Sequence, residues 1–244
     1  MKIYDGRSIA LAVLMLLSIF FPHPTRAQSH YSMGEILKGT ESYYQNLQAF
    51  TADFLQLTTS SATNTITTEA SGILYYQKPR QMRWEYKSPE PQVFIANNEV
   101  AWLHEPTERQ ISLFDAKTFF SSPLAQTFFD GVSGLKAHFE VSLDPAHSTP
   151  SLAVLKLVPQ KEDPNIRQLR LWIDLKTYEI TKVETEDALA NTNMIVLKSQ
   201  KAITNMKNSL FELNVPPATN VVDADGRALS QAEINNLKRK VASK

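Results

Sequence analysis

Residues 76–91 read YQKPRQMRWEYKSPEP. Met82, Trp84 and Tyr86 alternate with Arg83, Glu85 and Lys87, and prolines stand at both ends. A period of two is the pattern of a β-strand with one apolar and one wet face. The same texture runs outward from this stretch in both directions. Strands are predicted at 50–57, 66–77, 80–87, 92–96, 100–104 and 110–114, with turn chemistry between them at KP, SPEP, NNE and EPTE. After an interruption they resume at 139–143, 152–158, 167–175, 179–186, 194–202 and 210–215. Short strands at such even spacing, without long helices between them, predict one antiparallel sheet that curls or closes.

Two helical segments flank or break this pattern. Ser32 followed by Glu35 is a capping-box pair, and Met33, Ile36, Leu37, Thr40, Tyr44 and Leu47 fall on one stripe, predicting an amphipathic helix over 33–48. The interruption, FFSSPLAQTFFDG at 119–131, has Ser122 as N-cap, Pro123 at the first helical position and Gly131 past the end. It predicts a short helix carrying Leu124, Phe128 and Phe129, either a lid over the concave face of the sheet or a cover for a sheet edge. Ser230 and Glu233 open a terminal helix or a frayed tail with a basic end.

The chain has 244 residues, 43% hydrophobic and 20% charged, enough for one domain with a full core. Lys2 and Arg7 precede an apolar run at 9–21 and Thr25-Arg26-Ala27 follows it, the build of a cleavable secretory leader over 1–27. That run is too short to span a bilayer. Residues 28–244 are then one domain, with a lid segment at about 119–138 and a tail at about 223–244. Without Lys2, Arg7, Arg26 and Asp5, 22 basic and 24 acidic residues remain, and this balance gives no electrostatic footprint for nucleic acid. With no cysteine there is no disulfide, thiolate metal site, Cys nucleophile or lipidated N-terminal Cys, and the predicted compartment is a Gram-negative periplasm.

Catalytic patterns are scarce. The five histidines lack metal-ligand spacing, no GxSxG or phosphate loop occurs among seven glycines, and no cofactor is implied. Glu184, Glu186 and Asp187, interleaved with Lys182, read as a solvated strand face. The aromatic positions carry more information. Phe50, Phe54, Leu74, Tyr76, Met82 and Trp84 sit on one face of successive strands, and Tyr86, Phe94 and Trp102 continue the set. Under one helix on a flat sheet these are ordinary core. In a curved sheet closed by a helix and a lid, they line an apolar cavity suited to hydrocarbon.

The run GILYYQKPRQMRWEYKSPEPQVFIANNEVAWLHEPTERQI resembles the core of the LolA family, periplasmic carriers of outer-membrane lipoproteins. The resemblance rests on Gly72, Lys78-Pro79, Met82-Arg83-Trp84, Pro89 to Pro91, Asn97-Asn98 and Trp102, in that order. It extends to FTADFLQ at 50–56, SSPLA at 121–125, LRLWIDLKTYEI at 169–180 and SLFELNVPP at 209–217. It implies a mainly β fold with α, an unclosed antiparallel β-barrel of about 11 strands under an N-terminal helix and a helical lid. It also implies a monomer whose cavity, including Leu124 and Phe128 of the lid, shelters the acyl chains of lipoproteins in transit.

The implied partners are acylated lipoproteins, an inner-membrane ABC transporter of LolCDE type and an outer-membrane receptor of LolB type, with no enzymatic activity. Where most of the family has an arginine latch before the motif proline, this chain has Lys78, with Arg80 as the alternative latch. A regulatory or sensory lipid-binding domain of the same architecture is the second reading, and a periplasmic hydrolase the third.

Overall fold

The computed structural model describes residues 31–121, 134–163, 165–204 and 206–242. The stretch quoted first contains a strand, β3 (Gln81–Ser88), and its alternation in sequence is an alternation of burial: Met82 and Trp84 are enclosed, Arg83 and Glu85 half-exposed. Upstream lie β1 (Ala49–Ser60) and β2 (Thr65–Gln77), and downstream β4 (Gln92–Ala96), β5 (Val100–Glu105) and β6 (Gln110–Asp115). The second block comprises β7 (Phe139–Leu143), β8 (Leu152–Pro159), β9 (Gln168–Asp174), β10 (Ile180–Glu186) and β11 (Thr192–Ile203). A last short strand is β12 (Asn220–Val222).

All twelve form one sheet in the order β12-β6-β5-β4-β3-β2-β1-β11-β10-β9-β8-β7. The two blocks join through β1, which pairs with β2 on one side and β11 on the other. The terminal strands β12 and β7 lie at opposite ends of that order, so the sheet curls without closing. Two expectations are corrected here. The apolar alternation at 210–215 is not a strand: it holds the end of a 3-10 turn (Asn208–Phe211) and an irregular run, while the last strand is β12. That strand pairs parallel to β6, the one departure from antiparallel order among the described strands.

Helix α1 (Met33–Asn46) starts at the predicted capping box, with the Glu35 carboxylate accepting from the Ser32 amide at 2.7 Å. Its stripe buries Ile36, Leu37, Thr40 and Tyr44, and each fully enclosed aliphatic side chain contributes roughly 1.5–3 kcal/mol. Helix α2 (Ala116–Phe120) follows β6 and is capped by the Asp115 carboxylate, which accepts from the Lys117 amide at 2.9 Å. The C-terminal helix α3 (Gln231–Ala242) begins at the Ser230–Glu233 capping pair, so the terminal segment is helical. The predicted leader and the predicted helix at 122–131, including Leu124 and Phe128, lie outside the described residues.

Each face of the sheet carries its own core. The concave core joins α1 to Phe50, Phe54, Leu74, Tyr76, Met82 and Trp84, and to Leu155, Leu157, Leu169, Leu171, Val183 and Leu197 of the second block. The outer core packs Ile95, Trp102, Ile111, Leu113 and Val221 of the sheet with Phe211, Leu213 and Ile234. Asn97 ties this outer layer down: its amide donates to the Phe211 carbonyl at 3.1 Å while its side-chain oxygen accepts from the Val100 amide.

Candidate functional site

The concave face is the candidate site, and its construction begins at Gly72. At that residue β2 shifts register against β3, pairing Gly72 with Tyr86. A Cβ on Gly72 would overlap the Glu85 carbonyl oxygen and stand 2.8 Å from the Phe54 ring. The missing side chain therefore leaves room for the Phe54 ring beside Gly72, where it meets Trp84 edge-on at 4.9 Å and Tyr86 edge-on at 5.0 Å. Phe50 packs on Tyr76 at 5.0 Å farther under α1. Phe50, Leu74, Tyr76 and Met82 are fully enclosed and Trp84 nearly so, whereas Tyr86 and Phe94 are half-exposed. The wall thus grades from sealed interior under α1 to accessible surface at Tyr86.

At the accessible end the wall becomes polar but uncharged. The Tyr86 hydroxyl donates to the Gln56 side-chain oxygen at 3.0 Å, and the Gln56 amide donates to Asn193 at 2.9 Å. Burial pushes the Tyr86 phenol up, so it remains a neutral donor. At the other side α2 leans on β4 and β5, where the small Ala96 and Ala101 make room for Phe120. Phe119 packs on Phe94 at 4.9 Å.

Two polar clamps hold α1 over the wall. The Tyr43 hydroxyl donates to the Glu179 carboxylate at 2.9 Å, and the Tyr44 hydroxyl accepts from the Ile180 amide at 3.1 Å. Burial raises both phenols, that of Tyr43 with help from Glu179. At the helix end Lys78 Nζ donates to the carbonyls of Tyr44 at 2.7 Å and Gln45 at 2.8 Å. Those carbonyls belong to the last turn, whose acceptors point out of the helix and carry the negative end of its dipole.

The predicted site residues therefore separate into three groups. Phe50, Phe54, Leu74, Tyr76, Met82, Trp84, Tyr86 and Phe94 share the concave face. Trp102 does not: it belongs to the outer core with Ile95 and Leu113. Lys78, expected to reach the lid, spends two of its three donors on α1. It is Arg80 that touches the start of the expected lid segment, its guanidinium 5.5 Å from the Phe120 ring centre. The acidic run also departs from expectation. Glu186 is buried, accepting from Gln168 and pairing with Arg167 at 3.1 Å, and Glu184 pairs with Arg170 at 2.8 Å. No group of three or more His, Asp or Glu side chains that could hold a metal occurs among the described residues.

The model of the family described as outer membrane lipoprotein carrier protein LolA matches residues 45–214, which take in the whole aromatic wall. The chain belongs to the LolA family. Family membership makes it a binding and transfer protein rather than an enzyme. An outer-membrane lipoprotein carrier protein from Methylobacillus flagellatus is 25% identical over 217 residues, spanning 88% of this LolA-family chain and 98% of its relative. Another from Legionella pneumophila is 24% identical over 211 residues, spanning 86% and 98%. Among solved structures, an uncharacterized conserved protein from Thermus thermophilus is similar in fold, with a TM-score of 0.51 at 14% identity, covering 79% of this chain and 99% of the other. The segment carrying β12 and α3 lies beyond the part matched by the family model.

Proposed function

We propose that this LolA-family protein is a periplasmic carrier, exported by the leader at 1–27, that holds the acyl chains of lipoproteins against the concave face. In this reading an inner-membrane transporter of LolCDE type loads it and an outer-membrane receptor of LolB type unloads it. The observation that carries the reading is the continuous apolar wall from Phe50 to Tyr86, sealed under α1 at one end and accessible at the other. Saturated chains gain roughly 0.8 kcal/mol for each methylene they bury, so such a wall needs no specific contacts to hold them. The enclosed inner half makes room when the helical cover moves. Closed and loaded states close in free energy then permit release as well as uptake.

In the same reading Lys78 holds α1 in place, and Arg80 restrains the lid segment through Phe120. The test is native mass spectrometry of the protein isolated from the periplasm of cells overproducing the transporter. A mass increment matching an acylated lipoprotein is expected, with loss of that increment on adding the receptor. Isolation free of any acylated species under these conditions overturns the reading.

A further inference from the structure

The uncharged end of the aromatic wall adjoins a shallow pocket of about 310 Å³ bounded by Gln56, Thr68, Ala70, Tyr86, Glu90 and Gln92. Its position is fixed by the wall. Tyr86, whose ring contacts Phe54, turns its hydroxyl to Gln56, so one side chain joins the apolar interior to the rim. Gln92 stands opposite Tyr86 on β4, and Thr68 lies opposite Thr58 on β1. The lining offers primary amides and hydroxyls, which both donate and accept. Its one charge is the exposed Glu90 carboxylate, and among the described residues no Lys or Arg lines it. Lys87 follows Tyr86 in the chain as the extra residue of a bulge, where Tyr86 pairs with Gly72 and Ser88 with Ser71; it is exposed and does not line the pocket.

We infer that this rim seats the uncharged amide and ester junction of an acylated protein and turns away the phosphodiester of a membrane phospholipid. An ester carbonyl accepts and an amide N–H donates, and neutral amide side chains meet both. A phosphodiester is an anion that proteins meet with Arg or Lys. Here it would lose water beside Glu90 with no cation to replace it. A carrier that works among phospholipid bilayers needs such a discrimination, because acyl chains alone do not distinguish its cargo from the surrounding lipid. The inference rests on the carrier reading above, and deepens it by placing selectivity at the rim rather than in the wall.

The test displaces a fluorescent apolar probe, N-phenylnaphthylamine, from the full-length mature protein. The two titrants are a synthetic N-acetyl-S-diacylglyceryl cysteinyl-serine amide and phosphatidylglycerol with the same two acyl chains. The wild type is expected to prefer the lipopeptide by roughly ten-fold or more, the order expected for one charge left unpaired at a half-buried site. Glu90→Lys combined with Gln92→Lys should bring the ratio close to one by tightening phosphatidylglycerol, and added salt should partly restore it. Both positions are exposed or half-buried, so the fold does not depend on them. Equal affinity of the wild type for both titrants, or a ratio unmoved in the double variant, overturns the rim assignment and leaves the carrier reading intact. Failure of the wild type to bind the probe and both titrants overturns the two together.

Discussion

The Lys78 ammonium lies 2.7 Å from the Tyr44 carbonyl oxygen, so the turn between β2 and β3 holds the last turn of α1. Burial lowers the affinity of this lysine for its proton, yet its two carbonyl acceptors call for the charged, donating form. Lys78→Leu removes both bonds and the favourable charge at the helix end, a loss of about 1–2 kcal/mol. Lys78→Arg should retain most of it. Hydrogen exchange of the Tyr44 to Leu47 amides checks this: acceleration is expected in the leucine variant alone.

The clamp on the other side of α1 predicts sensitivity to alkali. Tyr43 and Tyr44 ionise at 10.0 when unperturbed and well above that in the fold, raised chiefly by burial. A raised acid binds its proton more tightly in the native state, so its stabilisation is complete below pH 10 and declines as pH rises beyond it. Denaturant titrations from pH 8 to pH 11 should show stability falling from about pH 10. The slope should be shallower in Tyr44→Phe, which at neutral pH also loses about 1 kcal/mol with the bond from Ile180.

Gly72→Ala is expected to destabilise by about 2–3 kcal/mol, the range of a core forced to accept an added group. The obstacle is the Glu85 backbone as much as the Phe54 ring. A second change, Phe54→Leu, should therefore fail to rescue it. Thermal unfolding of the single and double variants is the check, and recovery in the double variant would move the constraint to the ring.

Arg80→Gln removes the cation over Phe120, an interaction worth about 0.5–1 kcal/mol at an accessible site. Release of a fluorescent fatty acid should quicken by roughly two- to five-fold. Lys78→Leu serves as the comparison, since it acts on α1 instead. An unchanged release rate in Arg80→Gln would remove the residue from the control of release.

Alternation made most of the sheet legible, because a strand with one covered face writes its burial into the sequence at period two. Met82, Trp84, Phe54 and Tyr76 could all be placed that way. Trp102 could not. Between β3 and β4 even-numbered residues face each other, as in Trp84 opposite Phe94. The next turn sets Ala96 opposite Ala101, which inverts parity and sends Trp102 to the outer face. A hairpin register is a property of turn geometry, and Asn97-Asn98-Glu99 does not declare it. Residues 210–215 misled for a related reason: Phe211 and Leu213 alternate because an extended segment crosses the outer core, where burial has a period and ladder bonding is absent. Lys78 was expected to reach the lid only through the family resemblance; the carbonyls it meets are on α1, that of Tyr44 lying 34 residues upstream, and no local pattern announces so distant a contact.

The failure of β7 and β12 to meet gives the sheet an adjustable girth. A sealed cylinder has a fixed bore, because widening it breaks a row of backbone hydrogen bonds all at once. Here the seam is already open, and spreading it strains twist and side-chain contacts while every ladder from β12 through to β7 stays intact. On the proposed reading, in which the concave face holds cargo, small differences in its bulk are absorbed by flexing, in the way a split ring grips rods of unequal diameter.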